Sequence, residues 1–371
     1  MNKLVYITYQ TFPSKKANTI QTIENLKYIA QKVNVELIFP NRSKESSGKL
    51  SEIQKFYSFN ENIKINMTKH NLPFGKINFL EKYLFLFSHL MWARNLAKKL
   101  YIKIQNEYIF TRSDWIFFFL SRKNLQITFE CHQITKIRKL IIKNSLRNLN
   151  SKVICLNENI LKDLNIDKKY KDRVIVLHNG VDASNYKKIK PSNKHELVFI
   201  GNLRRFNEDR NLNFIINCFK NENIQDKYRF KVIGGPAEAL DELDKLINNK
   251  GLQDKVELLQ WLPRDNVLNE IQKSGIGLLI NSNKDKHSIF YTSPLKYFEY
   301  LYAGLNVLAV DFPSHKSLPY SENIRFFNDN DEESFINALN YFPIENRLKD
   351  NELFNITLEA RSLKIINFIR D

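Results

Sequence analysis

The feature that most limits what this chain can fold into is an alternation that runs from end to end. Short runs rich in β-branched residues are separated by stretches of helical length. Parallel strands need a crossover between them, usually a helix, so this rhythm predicts parallel sheets with helices on their faces. Residues 4–8, 35–39, 108–111, 126–130, 152–156 and 173–177 read as strands, and 19–32 as the first amphipathic helix. A polar stretch at 182–196, holding Pro191, interrupts the pattern. It then restarts with strands at 197–200, 229–233, 256–259, 276–280 and 306–310, and residues 352–369 read as a terminal helix. The expected fold class is α/β, with two doubly wound domains. Residues 1–185 form the first, 186–350 the second, and 351–371 a terminal helix able to pack back on the first. In such sheets ligands gather beyond the carboxyl ends of the strands.

Charge separates the halves. Residues 1–190 carry 34 Lys and Arg against 14 Asp and Glu, a net +20, whereas 191–371 are net −3. A basic half points to a polyanionic partner: nucleic acid, a phosphate-bearing glycan or an anionic lipid surface. No DNA- or RNA-binding motif accompanies the charge, so nucleic acid is not expected. Residues 74–103 mix Phe, Leu, Tyr and Trp92 with Lys76, Lys82, Arg94, Lys98, Lys99 and Lys103. Lys136, Arg138, Lys139, Lys143 and Arg147 make a second basic helix. Basic, aromatic-rich stretches suit an anionic membrane surface. The apolar stretch near 83–92 is far short of the roughly 20 residues a span needs, and the start is too short for a signal peptide. Cys131, Cys155 and Cys218 are odd in number and scattered, which fits a reducing compartment. A cytoplasmic protein, peripheral on the cytoplasmic face of the membrane, is the expectation.

Residues 291–311 carry the most chemistry. Thr292 or Ser293 is placed to cap a helix, with Pro294 at its first position and Gly304 at its end. A helix N-terminus facing a cleft is a ready phosphate site. Glu299, more than a turn inside, can accept two hydrogen bonds from a ribose diol. In the first half, Asn18 is placed to cap the helix after the first strand. His132 ends the segment Thr128-Phe-Glu-Cys-His at the close of a strand, and His178 is its competitor.

Ser293-Pro-Leu-Lys-Tyr-Phe-Glu299-Tyr, running on to Ala303-Gly304, resembles the donor-binding helix of retaining family-4 glycosyltransferases. Four more segments resemble that family in the same order. They are His178-Asn-Gly-Val-Asp182, Gly201 with Arg210 to Phe219, Val232-Ile-Gly-Gly-Pro236, and Val256 to Pro263 with its Gln-Trp-Leu-Pro. The resemblance implies a GT-B fold, two Rossmann-like domains facing each other across a cleft. It implies a nucleotide-diphosphate sugar as donor and co-substrate, and a glycan or lipid-linked acceptor. Glu299 then holds the ribose, and the turn Ser293-Pro294-Leu295 faces the diphosphate with the amides around it. Gly201 ends the strand beside it. Arg210, with Arg204 or Arg205, neutralises phosphate, a task that suits the planar guanidinium. Trp261 and Leu262 flank the base. Ala17, Asn18 and Thr19 form a loop toward the acceptor or phosphate. His132 contacts the donor sugar, with Glu130 orienting its neighbours.

Two departures stand out. Tyr291 occupies the place where the broader family has a Glu touching the donor sugar, and the loop from Gly201 to Arg210 is longer than usual. The implied chemistry is hexosyl transfer with retention of configuration, in polysaccharide, lipopolysaccharide or capsule assembly. Amides and arginines would stabilise the departing diphosphate. No Asp-x-Asp motif stands in a suitable loop, so no metal is expected. A non-catalytic GT-B relative and a nucleotide-sugar epimerase are the alternatives.

Overall fold

The computed structural model describes residues 2–70, 81–186, 193–205, 208–341 and 348–371. Lys76 and residues 187–192 of the 182–196 linker lie outside the described residues, as do the side chains of Lys82 and Arg205. The chain divides into two compact units. Unit 1 holds residues 1–177 with 358–371, and unit 2 holds 178–357.

Unit 1 is one parallel sheet of β1 (Lys3–Ile7), β2 (Asn34–Pro40), β3 (Ile63–Thr68), β4 (Tyr108–Thr111), β5 (Ile127–Cys131), β6 (Ser151–Cys155) and β7 (Val174–Val176). Their order is 3-2-1-4-5-6-7. Its helices are α1 (Ala17–Ala30), α2 (Leu50–Tyr57), α3 (Glu81–Leu100), α4 (Asp114–Ser121), α5 (Lys136–Ser145) and α6 (Glu158–Leu164). Unit 2 is a second sheet of β8 (Asn193–Asn202), β11 (Arg229–Gly235), β12 (Val256–Leu259), β13 (Ser274–Leu279), β14 (Asn306–Val310) and β15 (Ile324–Phe327). A small hairpin, β9 (Arg204–Arg205) with β10 (Glu208–Asp209), follows β8. Helices α7 (Leu212–Cys218), α8 (Glu222–Gln225), α9 (Ala237–Lys250), α10 (Arg264–Lys273), α11 (Leu295–Tyr302), α12 (Pro313–Lys316), α13 (Glu332–Asn340) and α14 (Asp350–Asn355) complete it, and α15 (Leu358–Arg370) returns to unit 1. The large sheet of unit 2 runs β12-β11-β8-β13-β14-β15 and is parallel throughout.

Both sheets are doubly wound about their first strand, so each has a switch point there, between β1 and β4 and between β8 and β13. Strands buried on both faces read as continuous apolar runs. Leu4, Val5, Tyr6 and Ile7 of β1 are all buried, as are Leu197, Val198, Phe199 and Ile200 of β8. Helix α11 lies close on unit 2's sheet, because Gly277 of β13 leaves no Cβ to meet the Tyr300 ring. Any side chain at 277 would push the helix away, the overpacking that usually costs about 1–3 kcal/mol. In unit 1, Ile365, Ile366 and Ile369 of α15 pack into the core beneath α1.

Some local expectations are corrected. The terminal helix is broken: α14 ends at Asn355, and Thr357 bridges to Val181 before α15 begins. Trp92 is not a surface anchor; it is buried and its indole donates to the Thr68 hydroxyl. Arg138 is spent inside unit 1 in a two-pronged pair with Asp114 (2.6 and 2.8 Å), and Lys139 donates to the Asp163 carbonyl. Arg147 lies beyond the end of α5.

Candidate functional site

Unit 2 gathers its candidate residues around α11. The cap expectation fails by one residue: Pro294 itself stands at the N-cap, with no side chain capping the helix. The Ser293 hydroxyl is engaged elsewhere, accepting from the Asn179 backbone N–H at 3.1 Å. Asn179 also donates its amide to the Ser293 carbonyl at 2.5 Å. The Asn-Gly-Val-Asp segment therefore clamps the turn that launches α11. A first turn with no capping side chain leaves amides such as that of Leu295 for another acceptor, and an anion is the natural one.

Glu299, on the second turn, is nearly buried, and one carboxylate oxygen lies 2.6 Å from Arg264 Nη2. At the end of β8, Gly201 adopts φ +128°. The Lys296 ammonium comes to the same place, 3.7 Å over the Phe199 ring and 3.8 Å from where a Cβ on Gly201 would stand. Arg210 is half-buried; burial and Glu299 raise the Tyr300 hydroxyl on α11, and Arg210 lies near enough to oppose that rise. Arg204 lies elsewhere on the surface, paired with Glu242 at 2.5 Å. Such exposed pairs are weak and exchange readily. Trp261 is 58% exposed and its indole lies against the backbone of Gly235, where a Cβ would come within 2.5 Å of the ring nitrogen. One ring face is thus available for stacking. Leu262 packs instead against the core of the unit. Tyr291 is buried.

Unit 1 gathers its residues beyond β1, β4 and β5. The Arg112 guanidinium donates to His132 Nδ1 at 2.9 Å. Arginine has no acceptor, so Nδ1 must accept and the ring proton sits on Nε2. Nε2 lies 3.2 Å from Glu130 Oε2. Glu130 is buried and also receives the guanidinium of Arg361 from α15, which binds Asn25 Oδ1 at 2.6 Å as well. Burial works against the charge on Glu130, yet Arg361, His132 and Arg112 hold its carboxyl well below the ordinary range. Burial, reinforced by Arg112, pushes the His132 imidazole down to about 4. His132 is therefore a neutral ring, held at Nδ1 by Arg112 with Nε2 near the Glu130 carboxylate.

Asn18 does not cap α1. Lys16 stands at the N-cap, and Ala17 and Asn18 are exposed in the first turn. The Asn18 carbonyl accepts from Gln10 at 3.0 Å and from Arg112 at 3.4 Å. Thr19 is buried and its hydroxyl turns back to the carbonyls of Ser14 and Lys16. Arg112 thus ties the start of α1 to His132. No motif marks Arg112, Arg264 or Arg361, because their roles come from partners far away in sequence. His178, the competing histidine, belongs to unit 2. Among the described residues no group of three or more His, Cys, Asp or Glu side chains is placed to hold a metal ion.

Three imidazoles, one buried and two half-buried, share one pH signature. Burial lowers His89 to about 3, and His132 and His315 to about 4. Each is neutral when folded and takes up its proton near pH 6.5 when unfolded, so stability is full above about pH 6.5 and lost as pH falls toward 4. The melting temperature is expected to drop steadily between pH 7 and 5, before ordinary carboxylates titrate; a flat profile there would contradict the neutral assignments.

Residues 183–352 match the family described as Glycosyl transferases group 1. No curated protein matches the chain by sequence. Solved structures resemble it along its whole length at low identity. A lipopolysaccharide outer core galactosyltransferase in its apo form aligns over 99% of both chains, with TM-score 0.67 and 12% identity. Sucrose-phosphate synthase from Thermosynechococcus elongatus aligns over 100% of this chain and 98% of its own, with TM-score 0.65 and 12% identity. HepE from Anabaena, solved with UDP and glucose, aligns over the same shares, with TM-score 0.57 and 11% identity. The two parallel-sheet Rossmann-like units therefore make a GT-B fold. The matched glycosyltransferase domain lies in the second unit.

Proposed function

We propose that this chain is a glycosyltransferase, moving a hexose-type sugar from a nucleoside-diphosphate donor, bound by unit 2, to a cell-envelope glycan or lipid-linked acceptor, bound by unit 1. The observation that carries the reading is α11: an uncapped first turn with Glu299 one turn further in, nearly buried and already oriented. In that reading the first-turn amides receive the diphosphate and Glu299 the ribose. Lys296 and Arg210 add positive charge where the leaving group develops its negative charge, which lowers the barrier to departure without a metal. Trp261 offers a face to the base. The Anabaena neighbour, solved with UDP and glucose, supports a nucleoside-diphosphate donor. Ala17 and Asn18, with Arg112 and His132, form the polar surface offered to the acceptor and the transferred sugar. Retention of configuration rests on the family resemblance.

No helix among the described residues is long and apolar enough to cross a membrane. Docking at the cytoplasmic face is supported by a different pattern. Tyr83, Leu86 and Phe87 are exposed on α3 at helical spacing, and Ile137 and Leu140 are exposed on α5. Helix α4 packs against both of these helices. Arg94, Lys98, Lys99 and Lys136 are exposed on the same two helices. An apolar face flanked by cations suits an anionic lipid surface.

The reading is tested with nucleotide sugars and envelope lipids or glycans presented on anionic vesicles. Nucleoside diphosphate is expected to be released only when acceptor is present, with full rate in EDTA, and Tyr83→Ser with Phe87→Ser should release the protein from the vesicles. Nucleotide binding without turnover on any acceptor would instead identify a non-catalytic binding protein. Conversion of the sugar with no acceptor would identify an epimerase.

A further inference from the structure

We infer that Arg264 is a positioning residue for the donor's ribose: it fixes the Glu299 carboxylate so that, with the Tyr186 hydroxyl, it reads the ribose diol. The inference rests on the proposed nucleotide site and adds two residues to it. Arg264 is the first residue of α10, three positions after Trp261. One side chain therefore links the segment proposed to face the base with the carboxylate proposed to face the ribose. Its Nη2 lies 2.6 Å from one Glu299 oxygen, while Arg264 itself is nearly half exposed. A carboxylate has about four lone-pair sites. Arg264 takes one of them and fixes the plane of the group, leaving the second oxygen and the remaining lone pairs for two ribose O–H donors.

Tyr186 approaches the same helix face. Its ring meets the ring of Tyr302 edge-on at 5.1 Å, and Tyr302 stands three residues after Glu299, on the same side of α11. The Tyr186 hydroxyl is buried and has no hydrogen-bond partner among the described residues. Burial, with the negative charge of Glu299 behind it, raises the phenol's pKa, so the group stays protonated and remains a donor. Buried hydroxyls are nearly always satisfied, and one left open on the helix face that carries Glu299 points to a ligand oxygen. A ribose hydroxyl supplies both what Glu299 accepts and what Tyr186 donates to. A surface ion pair with only a structural role has no reason to distinguish ribose from a deoxygenated sugar.

The test uses that distinction. Affinities of the full chain are measured by calorimetry for UDP, GDP, ADP and CDP and for the 2′,3′-dideoxy form of each. The wild type is expected to prefer the ribose form of its best nucleotide by about tenfold or more, as for charge-assisted hydrogen bonds. Arg264→Ala should bring that ratio near unity while leaving dideoxy affinity unchanged, Arg264→Lys should restore part of it, and Tyr186→Phe should reduce it partially. If Arg264→Ala keeps the full ratio while Glu299→Gln abolishes it, the role given to Arg264 is overturned and the nucleotide site stands. Equal weakening of both forms by Arg264→Ala also overturns it, since the residue would then read base or phosphate. A wild type with no ribose preference removes the assignment of Glu299 itself.

Discussion

Glu299→Ala is expected to abolish stabilisation by nucleoside diphosphates. The wild-type carboxylate is nearly buried, held by Arg264 and mounted on a helix that Gly277 lets lie close on the sheet. None of that geometry has to form when nucleotide binds, so little ordering cost offsets the hydrogen bonds gained. Two bonds from a ribose diol to a carboxylate, at about 1.5–3 kcal/mol each before losses, correspond to about a hundredfold or more in affinity. A ligand at a hundred times its dissociation constant stabilises the folded state by about 2.7 kcal/mol. After a hundredfold loss the same concentration stabilises it by only about 0.4 kcal/mol, so the thermal shift nearly vanishes. Removing Glu299 also removes an ion pair to a half-exposed guanidinium, and such pairs contribute little, so the apo protein should melt close to wild type. An unchanged shift with the best nucleotide would sink the assignment of the site.

Much of the fold is readable from the chain alone, and the exceptions have physical causes. Strands β12 and β14 fall where their apolar runs stand, because both have sharp polar or turn boundaries. Strands β3 and β15 escape notice. Both are sheet edges, and Ile63–Thr68 alternates with Lys64 and Asn66, so it lacks the continuous apolar run of a buried parallel strand. Helix starts are misread where a polar residue suggests a cap that tertiary structure uses otherwise. Ser293 is recruited by Asn179 from more than a hundred residues away, and Asn18 offers its carbonyl rather than its side chain. The candidate site splits along the same line. Glu299, Gly201 and His132 belong to local patterns of spacing and can be picked out. Arg112, Arg264 and Arg361 are single residues whose partners lie 18 to 336 positions away, and no local pattern marks them.

Arg361→Ala should be the most destabilising single change on α15. The guanidinium is 2% exposed and its partner Glu130 is 5% exposed, so the pair is enclosed by the core of unit 1. Deleting one member of such a pair strands the other charge, and the usual cost is about 3–5 kcal/mol, a large part of a domain's stability. Arg361→Lys keeps the charge but loses the reach to Asn25, and should fall between the two. The pH dependence separates a stranded charge from a simple cavity. In the wild type Glu130 is depressed well below its unfolded value, so its contribution is present above about pH 4.5 and lost as pH falls through the folded pKa. Without Arg361 the largest charge opposing burial is gone, and the Glu130 carboxyl must rise. The variant then gains relative to wild type as acid neutralises the stranded group. The stability gap should therefore be widest near pH 7.5 and narrow toward pH 5, whereas a cavity costs the same at both. Trp92 and Trp115, both in unit 1, report its urea transition by fluorescence, and Trp261 reports unit 2 separately. A gap that stays constant across that pH range would mean that Arg361 only fills space, and that Glu130 and His132 owe their orientation to Arg112 alone.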